Sequence, residues 1–490
     1  MERLNFPLLS NQTQTMTGSA SSAQRIQRIF DMQQKHAIQL RTERIQERIK
    51  QLKKLKSWID KNDFLIKKAI YDDFRKPEAE VDMSDIYPVL TELKDAIRNI
   101  KRWSSVTPVD GSVAYLTTSA QVEYEPKGVC LIMAPWNFPF NLTIGPLVSA
   151  LAAGNTVMIK PSEMTPNTSA LIDDMVGELF REEEVAVFNG EAEVAKTLLE
   201  LPFDHIFFTG SPAIGKLIMK AAAEHLTSVT LELGGKSPAV IDENVNIRDA
   251  ARKIAWGKFL NNGQTCVAPD YVLVHTQVKD QFLDALSVQV SSLFGGNEGL
   301  IGASPDYARL VNRRHFSRIS SLMEEALQKG AKVRFGNHKD EADHFISPTV
   351  LTDVSLDMQV MEEEIFGPVL PVITYNDLHE AISIINKKPK PLALYYFGKS
   401  KKRRRQLVSS TSSGTVCIND CVIQYSHPHL PFGGVNNSGL GKAHGRYGFL
   451  AFSNEKAVLK QRIGFTSSRF IYPPYTKSVR LILKLLKKYF

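Results

Sequence analysis

Cys266 closes the run NNGQTC (261–266), a polar, turn-prone stretch between the apolar run Ala250–Leu260 and the strand-like YVLVHT. A lone cysteine is commonly an inert core residue, but this flank favours exposure to a cleft over a strand interior. A nucleophilic thiol needs thiolate character, and an unperturbed pKa of about 8.5 leaves only a few per cent ionised at neutral pH. Glu232, inside the apolar strand-like LELGGKSP (231–238), could supply that help directly or through water. Desolvation there would raise its carboxyl pKa towards a range useful for a base. Asn137 in APWNFPF (134–140) sits between rings and prolines that would hold its amide as a fixed donor, as an oxyanion site requires.

Two further stretches suit a nucleotide. FFTGSPAIGK (207–216) reads as a strand end, a turn at Gly210, Ser211 as N-cap and Pro212 at the first helical position. Such helix N-termini bind phosphate through free N–H groups and the helix dipole. The run nearly spells GxxxxGK followed by Ser or Thr, but Leu217 stands where Mg²⁺ needs a hydroxyl, which demotes a kinase or ATPase reading. IKPSEMTP (159–166) puts Lys160 and Glu163 just beyond an apolar strand, where the carboxyl edge of an α/β sheet binds ligands. Taken singly, each stretch also has a structural explanation.

The elements that must position these groups are legible as a pattern. Near-continuous apolar runs GVCLIMA (128–134), NTVMIK (155–160), EVAVFN (184–189), HIFFTG (205–210) and SVTLEL (228–233) alternate with helix-length segments. This predicts βαβ units and a doubly wound parallel sheet covered on both faces. A second α/β series runs from about Pro238 to Gly414. Residues 1 to about 20, rich in Ser, Thr, Asn and Gln, read as a loose arm, and helical spacing of apolar residues then continues to about Ile100.

With 490 residues, 43% hydrophobic and 23% charged, the chain suits two or three lobes and a sizeable cleft. Its net charge of +8 is concentrated in KKLK (53–56), KKRRR (401–405) and the last fifteen residues. Those runs lack interleaved stacking aromatics, so they read as solvated helix faces and no nucleic-acid partner is expected. Four cysteines are too few for a disulfide framework, and the single close pair Cys417 and Cys421 predicts no metal site. No secretory signal or spanning helix is visible, and a cytoplasmic protein is expected. The tail TKSVRLILKLLKKYF (476–490) sets Val479, Ile482, Leu483, Leu486 and Tyr489 opposite Lys477, Arg480, Lys484, Lys487 and Lys488. Either it lies on an anionic membrane surface, a peripheral contact, or its apolar face docks on this protein or a second subunit.

Six stretches in order, PWNFP, KPSE, FTGS, LELGGKSP, NNGQTC and EEIFGPVLPV (363–372), resemble the aldehyde dehydrogenase superfamily over roughly residues 80–460. CVAPDYVLV and PFGGVNNSGLGKAHGRYGF are similar to its class 3 branch, which includes the fatty aldehyde dehydrogenases. The resemblance implies a Rossmann-like dinucleotide-binding domain (21–114 and 130–232), an α/β catalytic domain (233–415) and a small β bridging or oligomerisation segment (115–129 and 416–470), followed by the basic tail (471–490). It implies oxidation of medium- to long-chain or aromatic aldehydes to acids by a homodimer. Cys266 would attack the carbonyl, the Asn137 amide and the Cys266 N–H would hold the oxyanion, and Glu232 would activate water against the thioester. Lys160 and Glu163 would contact the adenosine ribose and Gly210 and Ser211 would face the pyrophosphate. Glu364 would hold the nicotinamide ribose, with Trp136 and Phe366 also at the cofactor. Glu163 would repel a ribose 2′-phosphate, which favours NAD, although members of this branch also use NADP. Three alternatives stand beside this reading: a CoA-acylating dehydrogenase, against which Glu232 counts; a non-catalytic protein of the same fold; and a cysteine hydrolase, for which no companion histidine motif is recognisable.

Overall fold

A computed structural model describes residues 16–111, 115, 117–295 and 298–489. Residues 1–15 of the expected arm lie outside these, while Met16–Leu40 is one helix, so the helical lead-in starts inside the stretch read as an arm. Polar composition lowers helix propensity without abolishing it where a later face packs. Here Ile26, Ile29 and Phe30 bury their side chains.

The first sheet has six strands in the order Gly439–Leu440, Ser228–Leu233, His205–Gly210, Val129–Met133, Thr156–Lys160 and Val185–Val187. All neighbours are parallel except Gly439–Leu440, which runs antiparallel to Ser228–Leu233. Alternation along each strand feeds two cores. Cys130, Ile132, Val157, Ile159 and Phe207 join one hydrophobic cluster, and Val129, Leu131, Met133, Met158, Ile206 and Phe208 join another. Burying each large apolar side chain contributes about 1.5–3 kcal/mol, so both faces must be covered by helices, as the continuous apolar runs required.

Numbered by sequence, the five parallel strands lie in the spatial order 3-2-1-4-5. The order reverses between Val129–Met133 and His205–Gly210, and a crevice opens there beyond the carboxyl ends. The segments leaving those two strands are Ala134–Asn137 and the turn into the helix Pro212–His225.

The second sheet has seven strands, ordered Lys332–Phe335, Thr349–Thr352, Val369–Tyr375, Tyr271–His275, Pro238–Ile241, Ala393–Phe397 and Thr415–Ile418. Only Lys332–Phe335 is antiparallel to its neighbour. The link from Gly234 to Ser237 crosses directly from the end of Ser228–Leu233 in the first sheet to the start of Pro238–Ile241 in the second. A third, antiparallel sheet joins Thr107–Val109, Thr118–Pro126 and Ser453–Gln461. Of the expected bridging segment (115–129 and 416–470), the later part contributes strands to each of these three sheets. The tail forms the helix Lys477–Tyr489, with Val479 buried and Leu481, Leu485 and Tyr489 exposed.

Candidate active site

The helix Ile247–Phe259 ends in a turn whose residues Asn261, Asn262 and Gly263 all adopt left-handed conformations, with φ of 53°, 56° and 72°. Consecutive left-handed residues outside glycine store strain and persist only where surrounding contacts over-determine them. Those contacts are present. The Asn261 N–H donates to Glu80 Oε2 at 3.0 Å and its amide to the Asn137 carbonyl at 2.8 Å. Asn262 donates to the Ala308 carbonyl at 2.7 Å, and Gln264 donates to the Arg309 carbonyl at 2.9 Å while accepting from the Val311 N–H at 3.0 Å. At Gly263 a Cβ would overlap the Gly367 carbonyl, so only glycine fits. This clamp presents Cys266, three residues on, at the floor of the cleft, enclosed by protein yet accessible along the cleft.

The three groups expected to do chemistry come together. Cys266 and Glu232 share one cavity wall, and Asn137 and Glu232 line a larger groove that also reaches Cys266. One Asn137 amide hydrogen is donated to the Gln264 carbonyl at 3.0 Å. An amide NH₂ carries two donors, so this bond fixes the side chain and leaves the second hydrogen free. Glu232 lies next to the carboxyl end of its strand, opposite Thr209 and Gly439. Both its carboxylate oxygens are buried without a hydrogen-bond partner among the described residues, and burial pushes its pKa well above the ordinary carboxyl value despite Lys442.

Electrostatics at Cys266 run opposite to the sequence expectation. Burial, then the charge of Glu364 and then that of Glu232, push the thiol up to about 12. Glu232 is therefore no source of thiolate character as a standing charge, because a nearby anion disfavours a second one. Glu364 is itself pushed up to about 8, chiefly by burial and then by Asp270.

The groove beside Cys266 has a volume of about 530 Å³. Trp136, Gly210, Ser211, Glu364 and Phe366 line it, as do His315 and Arg318, which the sequence did not single out. Trp136 meets Phe366 edge-on at 5.4 Å and His315 at 4.9 Å between ring centroids. Arg318 donates to the carbonyls of Glu364 and Ile365, and Lys236 pairs with Asp270 at 2.5 Å, which anchors the segment carrying Glu364. Lys160 and Glu163 form an ion pair of 2.7 Å with Lys160 buried, but neither lines this groove. They stand beside its mouth, where the Ala134 N–H donates to the Lys160 carbonyl at 3.1 Å.

A dinucleotide fits these residues. The helix Pro212–His225 opens at the sheet's switch point with Ser211 accepting from the Ile214 N–H, the Thr209 hydroxyl is buried without a partner among the described residues, and Gly234 leaves no room for a Cβ beside the Glu364 carboxylate. On the other side of Cys266 a separate apolar tunnel of about 180 Å³ reaches outward past Phe138, Trp256, Val422, Tyr87 and Met83. Val422 holds φ 68° and ψ −40°, with the Ile423 N–H donating to the Cys421 carbonyl at 2.8 Å, so the wall there is a tight γ-turn. Nothing in the local sequence announces that turn.

Comparison with known proteins agrees with this geometry. The aldehyde dehydrogenase family model matches residues 6–458. The chain is 42% identical over 458 residues to the 4,4'-diaponeurosporen-aldehyde dehydrogenase of Staphylococcus aureus (strain NCTC 8325 / PS 47), covering 94% of this chain and 97% of that one. It is 41% identical over 432 residues to aldehyde dehydrogenase family 3 member A2 of Mus musculus, covering 88% of each. The substrate-bound state of Staphylococcus aureus AldH superposes with a TM-score of 0.90 at 41% identity, over 94% of this chain and 99% of that one. More distant solved relatives carry either nucleotide. A glyceraldehyde-3-phosphate dehydrogenase from Bacillus halodurans C-125 is complexed with NADP (28% identity, TM-score 0.81, 90% and 91% covered). An indole-3-acetaldehyde dehydrogenase is complexed with NAD+ (25%, TM-score 0.82, 90% and 89% covered).

Proposed function

The chain belongs to the aldehyde dehydrogenase family and is an NAD(P)-dependent enzyme that oxidises aldehydes to acids, and we propose that its substrates are medium- to long-chain aliphatic or aromatic aldehydes. The observation that carries this is the apolar tunnel ending at Cys266, opposite a polar groove suited to a dinucleotide. An aldehyde in that tunnel buries its hydrocarbon against aromatic and aliphatic side chains and brings only its carbonyl to the thiol.

In this reading Cys266 Sγ attacks the carbonyl carbon while the free Asn137 amide hydrogen and the Cys266 N–H hold the developing oxyanion. Fixed donors of this kind contribute about 10²- to 10³-fold in rate. Burial keeps the thiol protonated until it attacks, and its proton then passes to solvent water along the open groove. The nicotinamide dinucleotide, when bound, supplies the two-electron acceptor that turns the adduct into a thioester. Glu232, whose raised pKa suits a general base, then takes a proton from the water that cleaves the thioester. Trp136 and Phe366 frame the groove, Glu364 would hold the nicotinamide ribose, and the turn at Gly210 and Ser211 would face the pyrophosphate. Lys160 and Glu163, outside the groove wall, would contact the adenosine ribose. Glu163 would repel a 2′-phosphate, which makes NAD the preferred nucleotide.

We infer further a cytoplasmic homodimer. All four cysteines are unpaired, and the nine-residue strand Ser453–Gln461 stands at an exposed sheet edge, which supports pairing with a second copy. The tail helix carries five basic residues and no acidic one, and Leu481, Leu485 and Tyr489 are exposed beside Phe470 and Tyr475. That combination supports peripheral contact with an anionic lipid surface. Equal co-sedimentation with anionic vesicles by the full chain and by a truncation ending at Pro474 would refute it.

The test of the main reading is formation of reduced nucleotide across an aldehyde chain-length series plus benzaldehyde, with NAD and NADP compared and Cys266→Ala as control. Activity should rise with chain length and vanish in the variant. Preference for the shortest aldehydes would overturn the substrate assignment, and turnover only with added CoA would favour the acylating alternative.

A further inference from the structure

Hydrolysis of the thioester leaves a proton that must reach solvent. Water adds its oxygen to the carbonyl carbon, the C–S bond breaks, the thiol is restored and the product departs as a carboxylate. One proton is released for each thioester cleaved, and the base that first takes it, Glu232, is buried.

Beside the substrate tunnel and the dinucleotide groove lies a third, smaller cavity, which meets both at Cys266. Its volume is about 50 Å³, and a water needs about 10–15 Å³ of such space, so it holds a few. Glu232, Cys266, Asn141, Tyr425, Glu92 and His444 line it. In its wall, His444 Nδ1 lies 2.7 Å from Glu92 Oε1, and the Gly445 N–H donates to Glu92 Oε2 at 2.9 Å. Tyr425 and Phe432 hold the imidazole edge-on at 4.8 and 5.2 Å.

Asp95 follows Glu92 by three residues on the helix Tyr87–Trp103 and so lies on the same face. Its Oδ2 is buried without a hydrogen-bond partner among the described residues and stands 4.0 Å from Nδ1 of His429, whose side chain is 66% exposed. Gly445, at φ 49°, lets the backbone pass between the two acids, and a Cβ there would overlap the Pro428 carbonyl. A buried carboxylate, a water-sized chamber, a buried acid–imidazole pair and a second such pair at the surface thus stand in file.

Resting on the thioester-hydrolysis reading above, we propose that Glu92 and His444, with Asp95 and His429 outside them, form the route by which the proton released on thioester cleavage leaves Glu232 for solvent. His444 and Glu92 act here as positioning and relay residues and do not touch the reacting carbon. Cys266 also opens on the chamber, but thiol attack and oxidation take place at the carbonyl and do not draw on the Glu92–His444 pair. The family motifs quoted from the sequence do not include Glu92 or Asp95, which come from a helix more than 130 residues before Glu232.

The experiment is a single turnover of the full-length enzyme with limiting aldehyde, following the reduced-nucleotide burst by absorbance and the acyl-enzyme by quenched-flow intact mass. His444→Gln should leave the burst within about twofold and slow acyl-enzyme decay by about tenfold or more, with added imidazole restoring part of the loss. Decay at the wild-type rate overturns the route, and so does a burst that slows as much as the decay, since a merely structural defect affects both. Should His444→Gln not fold, the reading is taken from His429→Gln, a surface change. Its decay should slow about threefold in weak buffer and recover with imidazole, whereas unchanged decay overturns the route. Glu232→Gln separates the two readings: if it accumulates no acyl-enzyme, hydrolysis through Glu232 is wrong, and if it does while His444→Gln decays normally, only the route is wrong.

Discussion

Replacing Glu364 by glutamine should make the enzyme bind its nucleotide less well and yet make its thiol more reactive. The Cys266 thiol is held at about 12, and after burial the largest cause is Glu364. With a pKa of about 8, Glu364 is about nine-tenths protonated at pH 7 and about nine-tenths ionised at pH 9, so its charge opposes the thiolate only on the alkaline side. Burial takes the largest share of the rise to about 12 and Glu364 the next. Removing a charge that opposes the thiolate by about 0.7–1.4 kcal/mol raises the thiolate fraction about threefold to tenfold, since about 1.4 kcal/mol is tenfold. Alkylation of the free enzyme by iodoacetamide, followed by intact mass, measures this. The ratio of variant to wild-type rates should be near one at pH 7 and about three to ten at pH 9, and the shallower alkaline limb of the wild-type profile should straighten in the variant. A ratio of one at pH 9, or an equal gain at pH 7, would refute the assignment of the carboxylate as the opposing charge.

Four further outcomes are expected. Asn137→Ala should lower kcat by about 10²- to 10³-fold with little change in the KM for aldehyde, measured by steady-state kinetics, because the lost donor acts on the oxyanion. Gly234→Ala should raise the KM for the nucleotide at least about tenfold while leaving iodoacetamide reactivity at pH 7 unchanged, since the new Cβ overlaps the Glu364 carboxylate. Lys76 and Asp85 form a fully buried ion pair of 2.6 Å, so Asp85→Asn, which strands the lysine charge, should cost about 3–5 kcal/mol in denaturant unfolding. Glu80 is pushed up to about 7, mainly by burial, so the folded protein binds more protons than the unfolded chain between about pH 4.5 and 7 and loses stability as pH rises across that window. Glu80→Gln, which keeps an acceptor for the Asn261 N–H, should therefore raise the melting temperature more at pH 8 than at pH 5, and an equal change at both would be evidence against it.

The local signals were legible because they depend on neighbours in the chain. Ser211 and Pro212 start a helix after Gly210, apolar runs of strand length buried on both faces follow from composition, and Gly263 is required by its own left-handed turn. The resemblance carried by six short motifs was enough to bring Cys266, Glu232, Asn137 and the groove residues into one site. The amphipathic tail was also readable from its spacing, although the placement of Leu481 and Leu485 on the open side depends on what the helix packs against.

What the sequence did not contain is the environment of those residues. It suggested that Glu232 would aid ionisation of Cys266, and the folded chain reverses the sign, because burial and two nearby carboxyl groups raise the thiol pKa. Charge sign is local, but its effect depends on distance and desolvation, and both are set by segments up to 230 residues apart. Lys160 and Glu163 were legible as a pair but not as standing outside the groove wall. Glu80 and Glu92 carried no motif, and His444 stood inside a quoted motif with no role attached to it, since a glutamate on a helix or a histidine in a loop is ordinary until folding brings its neighbours to it. Sequence alone determined which chemical groups the chain possesses and which backbone segments carry them. Tertiary structure alone decided which of those groups share a dry cavity, which stay neutral, and where a proton can go.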